Sequence, residues 1–167
     1  MYILVNGLPG SGKSTLAAAL GHALQWPILE KDQFKEILFD ALGVGDREWS
    51  RKLGIISITL MYRLARTLPH AILDSVFDRH LAPRDLAELN GPMVEIYCAC
   101  PPEIAEQRFH ARQLHSRHEG HFSGGIDFSE WIAKAGEPLA ICPVLRVDTT
   151  KPINIIDTLS WIAQYNH

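Results

Sequence analysis

Eight residues near the start of the chain, Gly7-Leu8-Pro9-Gly10-Ser11-Gly12-Lys13-Ser14, place glycines, one lysine and one hydroxyl at the spacing G-x-x-x-x-G-K-S/T. Those residue types at those positions suit the gripping of a polyphosphate. The glycines let the backbone curl so that successive N–H groups point inward at phosphate oxygens. A helix opening at Lys13 adds its positive end. The Lys13 ammonium is placed to reach β- and γ-phosphates, and the Ser14 hydroxyl to ligate Mg²⁺. Thr15 follows as a further contact near the α-phosphate. The candidate nucleotide-binding set is therefore Gly7, Pro9, Gly10, Ser11, Gly12, Lys13, Ser14 and Thr15, with ATP and Mg²⁺ as the implied ligands.

Such a cradle serves kinases, ATPases and GTPases alike, so the remaining carboxylates must separate them. Asp74 ends the apolar run Ala71-Ile72-Leu73 and is the natural second magnesium residue, beside Ser14. It is followed by Ser75, where motor-type ATPases place a glutamate that polarises the attacking water. No N-K-x-D guanine-reading motif occurs, and Asp40-Ala41-Leu42-Gly43 reads as a helix C-terminus. Water is thus not the obvious phosphate acceptor. Asp32 lies at the carboxyl end of a second short strand, on the rim where α/β proteins bind ligands. A carboxylate there can take the proton of an attacking hydroxyl. It can equally cap a helix beginning at Gln33, and the two roles are compatible.

The elements that would position these groups alternate in the pattern of a parallel-sheet α/β domain. Strands are predicted at 2–5, 28–30, 71–74, 93–100 and 144–147. Helices are predicted at 14–25, 32–42, 47–68, 83–89, from Pro101-Pro102 to about Gln113, at 128–134 and at 152–163. Gly54 falls inside the longest of them, where a glycine weakens the helix. The polar, His-rich stretch 115–125 reads as a loop. At 167 residues, 47% hydrophobic and 21% charged, the chain suits one soluble domain, residues 1–167. A net charge of −3 with no basic run gives no sign of broad nucleic-acid binding. Cys98, Cys100 and Cys142 lack metal-ligand spacing and read as free thiols of a reducing cytoplasm. The opening Met1–Val5 is too short for a secretory core, and Ile55–Tyr62 too short to span a bilayer.

Gly7–Thr15, then Lys31-Asp32-Gln33-Phe34-Lys35-Glu36, then Leu73-Asp74-Ser75-Val76-Phe77 together resemble the P-loop kinases of the AAA_33 and zeta-toxin-like group. That group is similar to gluconate kinase, chloramphenicol phosphotransferase and the 5′-kinase module of polynucleotide kinase. The resemblance implies a P-loop NTPase fold like that of nucleoside monophosphate kinases: a three-layer α/β sandwich with a five-stranded parallel sheet and a mobile lid at about 113–126. It also implies that Asp32 is a general base and that the reaction moves the γ-phosphate of ATP to a hydroxyl.

Kinases of this architecture close arginines over the phosphates. Arg108 and Arg112 are four apart on one helix, and Arg117 follows in Arg117-His118-Glu119-Gly120-His121-Phe122, which is similar to the lid segment of gluconate kinases. Lys13, Asp32, Arg112 and Arg117 form the expected catalytic group. Asp148-Thr149-Thr150-Lys151-Pro152 stands where related kinases hold adenine, so the resemblance implies a base slot between Arg108 and Pro152. His115, His118 and His121 have no partner cluster at zinc spacing and do not predict a structural zinc. On the acceptor side, Asp32, Lys35 and Arg79 are the expected substrate contacts, with Arg47, Trp49, Arg51 and Asp78 as further candidates. A sugar, sugar acid or antibiotic hydroxyl is the expected acceptor. A nucleoside or oligonucleotide 5′-hydroxyl kinase, or a nucleotide-binding switch, are the alternatives.

Overall fold

The computed structural model describes residues 1–113 and 127–165. The lid segment, with Arg117 and the histidines at 115, 118 and 121, lies outside the described residues.

In chain order the elements are β1 (Tyr2–Asn6), α1 (Lys13–Leu24), β2 (Ile28–Glu30), α2 (Lys31–Leu42), α3 (Arg47–Ala65), β3 (Ala71–Asp74), α4 (Ala82–Leu86), β4 (Met93–Ala99), α5 (Pro102–Gln113), α6 (Phe128–Ala135), β5 (Val144–Asp148) and α7 (Ile155–Ala163). The strands form one five-stranded sheet in the order β2-β3-β1-β4-β5, and every pairing is parallel. β1 and β3 are buried along their whole length, which is why both read as continuous apolar runs.

Alternate β1 residues feed two cores, as the two-residue period of a strand requires. Tyr2 and Leu4 join Met61 and Tyr62 of α3 and Leu86 of α4 on one face. Ile3 and Val5 join Leu16 and Leu20 of α1 and Ile162 of α7 on the other. The result is a three-layer sandwich, as expected.

Element boundaries differ from the sequence reading where side chains intervene. α3 runs unbroken through Gly54 and stops at Ala65, because Thr67 and Leu68 close tight turns onto the Leu64 and Ala65 carbonyls. α7 begins at Ile155, since the Asn154 side chain accepts from the Ile156 and Asp157 amides and makes Pro152 part of the preceding loop. α2 opens at Lys31, so Asp32 sits inside the first turn and is not its cap. The cap reading of Asp32 is thereby corrected.

A glycine inside a helix costs about 1 kcal/mol relative to alanine. A Cβ built on Gly54 would meet nothing within 4 Å, so packing gives no reason for it. Cys98 is buried and free, and burial pushes its thiol up to about 12. No helix among the described residues is long and apolar enough to cross a membrane.

Candidate active site

Register across the sheet brings the chemistry to one edge. Val5 of β1 lies level with Asp74 of β3, and Asp74 with Glu30 of β2. The chain therefore leaves β1 for the cradle, β2 for α2 and β3 for the Ser75–Phe77 segment at the same carboxyl edge, where open α/β sheets bind ligands.

The cradle is built by close approach. Gly10 has φ +78°, and a Cβ there would stand 2.1 Å from the Ala105 carbonyl oxygen of α5. Only glycine fits. Ser11 is fully buried and its hydroxyl has no hydrogen-bond partner, an orphan that a bound anion would satisfy. Lys13 is 9% exposed and its ammonium donates to the Leu8 carbonyl at 2.8 Å, folded over the loop it closes. Burial lowers the Lys13 pKa, and the Asp74 and Asp32 carboxylates act against that shift. An incoming polyanion would oppose it in the same sense.

The Ser14 hydroxyl stands beside Asp74 at the cradle mouth, close enough to lower the carboxyl's pKa. Asp74 is buried; burial raises its pKa, while the Lys13 charge and the Ser14 hydroxyl pull it back. No group of three or more His, Cys, Asp or Glu able to hold a metal occurs among the described residues. A hydroxyl and one carboxylate beside a phosphate cradle fit Mg²⁺, which takes few protein ligands and completes its shell with phosphate and water.

Asp32 faces the same cavity as Lys13 and Asp74. Its surroundings act to raise its pKa, but the Lys31 ammonium at 2.8 Å, helped by Lys13 and Arg112, outweighs this and holds the carboxyl at about 2. Solvent still reaches 61% of the side chain, because the cleft is open in front of it. Arg112 lines the cleft, and its charge is felt at Lys13, Asp32 and Asp74 together. Lys35 is 8% exposed and donates to the Ser50 hydroxyl at 2.8 Å. Burial, with the Lys31 charge, brings its pKa down to about 8.

The cleft has a volume of about 2120 Å³ and brings together Pro9, Gly10, Gly12, Lys13, Ser14 and Thr15 on the cradle side. Asp32, Lys35, Asp74 and Arg112 line it too, as do Arg47, Arg51 and Asp78. Arg79 does not line it. Its amide donates to the Lys134 carbonyl and its side chain is exposed, so the structure does not bring this expected substrate contact to the cleft wall. Trp49 is also absent from the cleft wall; its indole donates to the Gly43 carbonyl. Arg108 donates to the Thr149 carbonyl at 3.3 Å, which sets it beside the loop that carries Pro152, outside the cleft wall.

Sequence reasoning missed Asn6 and Glu95, both fully buried. Asn6 Oδ1 accepts from the Gly7 amide at 2.7 Å and the Phe77 amide at 3.2 Å, tying the cradle entrance to the segment after Asp74. Asn6 Nδ2 donates to Glu95 at 2.8 Å, and Glu95 also accepts from the Leu139 and Ala140 amides. The only signal in the sequence was a carboxylate inside the apolar run Met93–Cys100.

The family model described as an AAA domain, AAA_33, matches residues 3–123. The chain belongs to the AAA_33 family of P-loop kinases. Among solved structures, it is similar to a Chloroflexus aurantiacus protein provisionally assigned as a kinase, at 31% identity and TM-score 0.87 over 99% of this chain and 98% of that one. It shares its fold with a gluconokinase from Sinorhizobium meliloti, at 15% identity and TM-score 0.67 over 98% of this chain and 91% of that one. A shikimate kinase from Acinetobacter baumannii, solved with shikimate, has the same fold at 17% identity and TM-score 0.60, over 98% and 90% of the two chains. No curated protein matches the sequence. Membership of this kinase family gives the cradle its nucleotide and leaves the acceptor to the walls of the cleft.

Proposed function

We propose that this AAA_33 protein is an ATP- and Mg²⁺-dependent phosphotransferase that moves the γ-phosphate to a hydroxyl of a small molecule. The observation that carries the reading is a single cavity in which Lys13, the Ser14–Asp74 pair and the ionised Asp32 face one another. A motor-type ATPase places a water-activating glutamate directly after this carboxylate, and Ser75 stands there instead. A non-catalytic switch would have no use for a carboxylate and an acceptor-sized space beside the cradle.

The cradle amides and Lys13 hold the β- and γ-phosphates, and the otherwise unsatisfied Ser11 hydroxyl gains a partner. Ser14 and Asp74 would hold Mg²⁺, which neutralises phosphate charge as it shifts during transfer. Asp32 orients the acceptor hydroxyl and takes its proton, while Arg112 stabilises charge on the transferred group. Arg117 joins that role in the lid. Arg108 and Pro152 flank the adenine, the guanidinium plane lying on the base.

The test is acceptor-dependent conversion of ATP to ADP across sugars, sugar acids, antibiotics, nucleosides and 5′-hydroxyl oligonucleotides, with ³¹P NMR of the product. A phosphorylated alcohol formed only with Mg²⁺ is expected. ATP bound but turned over by no acceptor would overturn the assignment.

A further inference from the structure

One stretch of the cleft wall is specific enough to say what kind of acceptor it takes. Asp32, Lys35 and Glu36 stand at i, i+3 and i+4 of α2, hence on one face, and all three line the cavity. The Lys35 ammonium bonds Ser50 of α3, and Arg51, next in sequence, lines the cavity too. Arg51 has no hydrogen-bond or ion-pair partner among the described residues. One turn further along α3, the cavity wall is the bare backbone of Gly54, where a Cβ would find only open space. A helix-weakening residue with no packing role thus occupies a turn of α3 that lines the cavity, where an added side chain would meet open space.

We infer that the acceptor is a compact polyhydroxylated oxyanion, a hydroxy-carboxylate or a sugar phosphate, with its anionic group held by Arg51 and Lys35 and its body laid against Gly54. This rests on the phosphotransferase reading above. The spacing suits the chemistry: side chains one turn apart on a helix are separated by roughly 5–6 Å, the span between a terminal hydroxyl at Asp32 and an anionic group a few carbons away. Asp32 and Glu36 accept hydrogen bonds from hydroxyls, which an oxyanion cannot donate. Arg51 supplies the planar fork that carboxylate and phosphate both match.

The experiment compares wild type, Arg51→Gln, Gly54→Ala and Gly54→Leu on three matched panels: five- to seven-carbon polyhydroxy carboxylates, the corresponding sugar phosphates, and the uncharged parent sugars. ADP release is followed at saturating Mg²⁺ and ATP. We expect one anionic panel to exceed its uncharged parents by about 100-fold in kcat/KM, a charge-assisted discrimination of the usual size; which panel wins decides between carboxylate and phosphate. Arg51→Gln should raise the acceptor KM about tenfold with little change in kcat. Gly54→Leu should raise the acceptor KM while leaving the ATP KM alone, and Gly54→Ala should raise Tm by about 2–4 °C. A preference for uncharged sugars, or an acceptor KM within twofold of wild type in both Arg51→Gln and Gly54→Leu, overturns the inference and leaves the kinase reading standing. Turnover confined to antibiotics or oligonucleotides does the same. No acceptor-dependent ADP in any of these panels, nor with the antibiotics, nucleosides and oligonucleotides of the broader acceptor screen, overturns both.

Discussion

Replacing Asp32 by asparagine separates its proposed part in catalysis from any part in holding the fold. The side chain is 61% exposed and its partner Lys31 21% exposed, with Nζ and Oδ1 2.8 Å apart. An ion pair this open to water contributes about 0–1 kcal/mol. The amide oxygen of an asparagine side chain can still accept from Lys31, and the helix loses no cap, because α2 opens one residue earlier. Stability should therefore fall by less than about 1 kcal/mol, a Tm change of roughly 2–4 °C at most for a chain this size. Catalysis should lose far more. A positioned base contributes about 10²–10⁴-fold, and phosphoryl transfer, dominated by positioning and charge neutralisation, sits at the low end of that range. A 100-fold drop in kcat corresponds to about 2.7 kcal/mol of lost transition-state stabilisation. A carboxyl held at about 2 is ionised throughout the working range, so it is ready to accept the hydroxyl hydrogen bond and takes the proton late, once the phosphorus–oxygen bond has formed. For the same reason the acid limb of the free-enzyme pH profile should not move when Asp32 is replaced. The assay is steady-state ADP release with the best acceptor, beside ATP titration calorimetry and a melting curve. Retention of kcat within threefold, with ATP affinity and Tm unchanged, would refute the base assignment.

Gly10→Ala should cost both fold and ligand. The left-handed conformation at φ +78° carries about 1–2 kcal/mol for a non-glycine residue before the 2.1 Å approach to the Ala105 carbonyl is counted. Calorimetry should show Tm down by about 4 °C or more, with ATP affinity weakened at least tenfold; an unchanged melting curve would mean that α5 does not press on the cradle. Lys35, held at about 8, should lose its charge as pH rises through that value. The folded state then binds fewer protons than the unfolded chain between about 8 and the ordinary 10.5, so stability relative to Lys35→Met should rise across that window. Over the same window the acceptor KM should climb in wild type and stay flat in Lys35→Arg, and parallel profiles for the two would exclude Lys35 from anion binding.

How much of this site was readable beforehand depends on how locally each part is built. The cradle is eight consecutive residues and a helix start, so its spacing alone announced it, and the structure adds the reason for Gly10, the α5 carbonyl 95 residues away in sequence. β1 and β3 were visible because strands buried on both faces read as near-continuous apolar runs. Asp74 was legible as the first charge after such a run. Arg79 could not be placed from sequence, because the position of a loop residue depends on tertiary contacts such as the bond from its amide to Lys134 of α6. The start of α7 misled for the reverse reason: proline suits a first helical turn, but Asn154 offered two amides a better acceptor three residues beyond Lys151.

The acceptor wall was the least readable because no single segment contains it. Lys35 was a candidate by position, yet its burial and its bond to Ser50 arise only when α2 and α3 pack together. Gly54 registered as a flaw in a helix until the cavity in front of it was visible. Asn6 and Glu95 make the same point from the interior. A fully buried carboxylate costs several kcal/mol unless its oxygens are satisfied, and Glu95 meets that cost with three donors, one of them the Asn6 amide that also sets the first residue of the cradle. The Asn6 Oδ1 that accepts from Gly7 also accepts from the Phe77 amide, just beyond Asp74. The cradle and Asp74, the proposed magnesium carboxylate, are therefore registered to each other through a polar core that neither motif contains. The cradle is contiguous in sequence, whereas its alignment with Asp74 is carried by pairs that meet only in the folded chain.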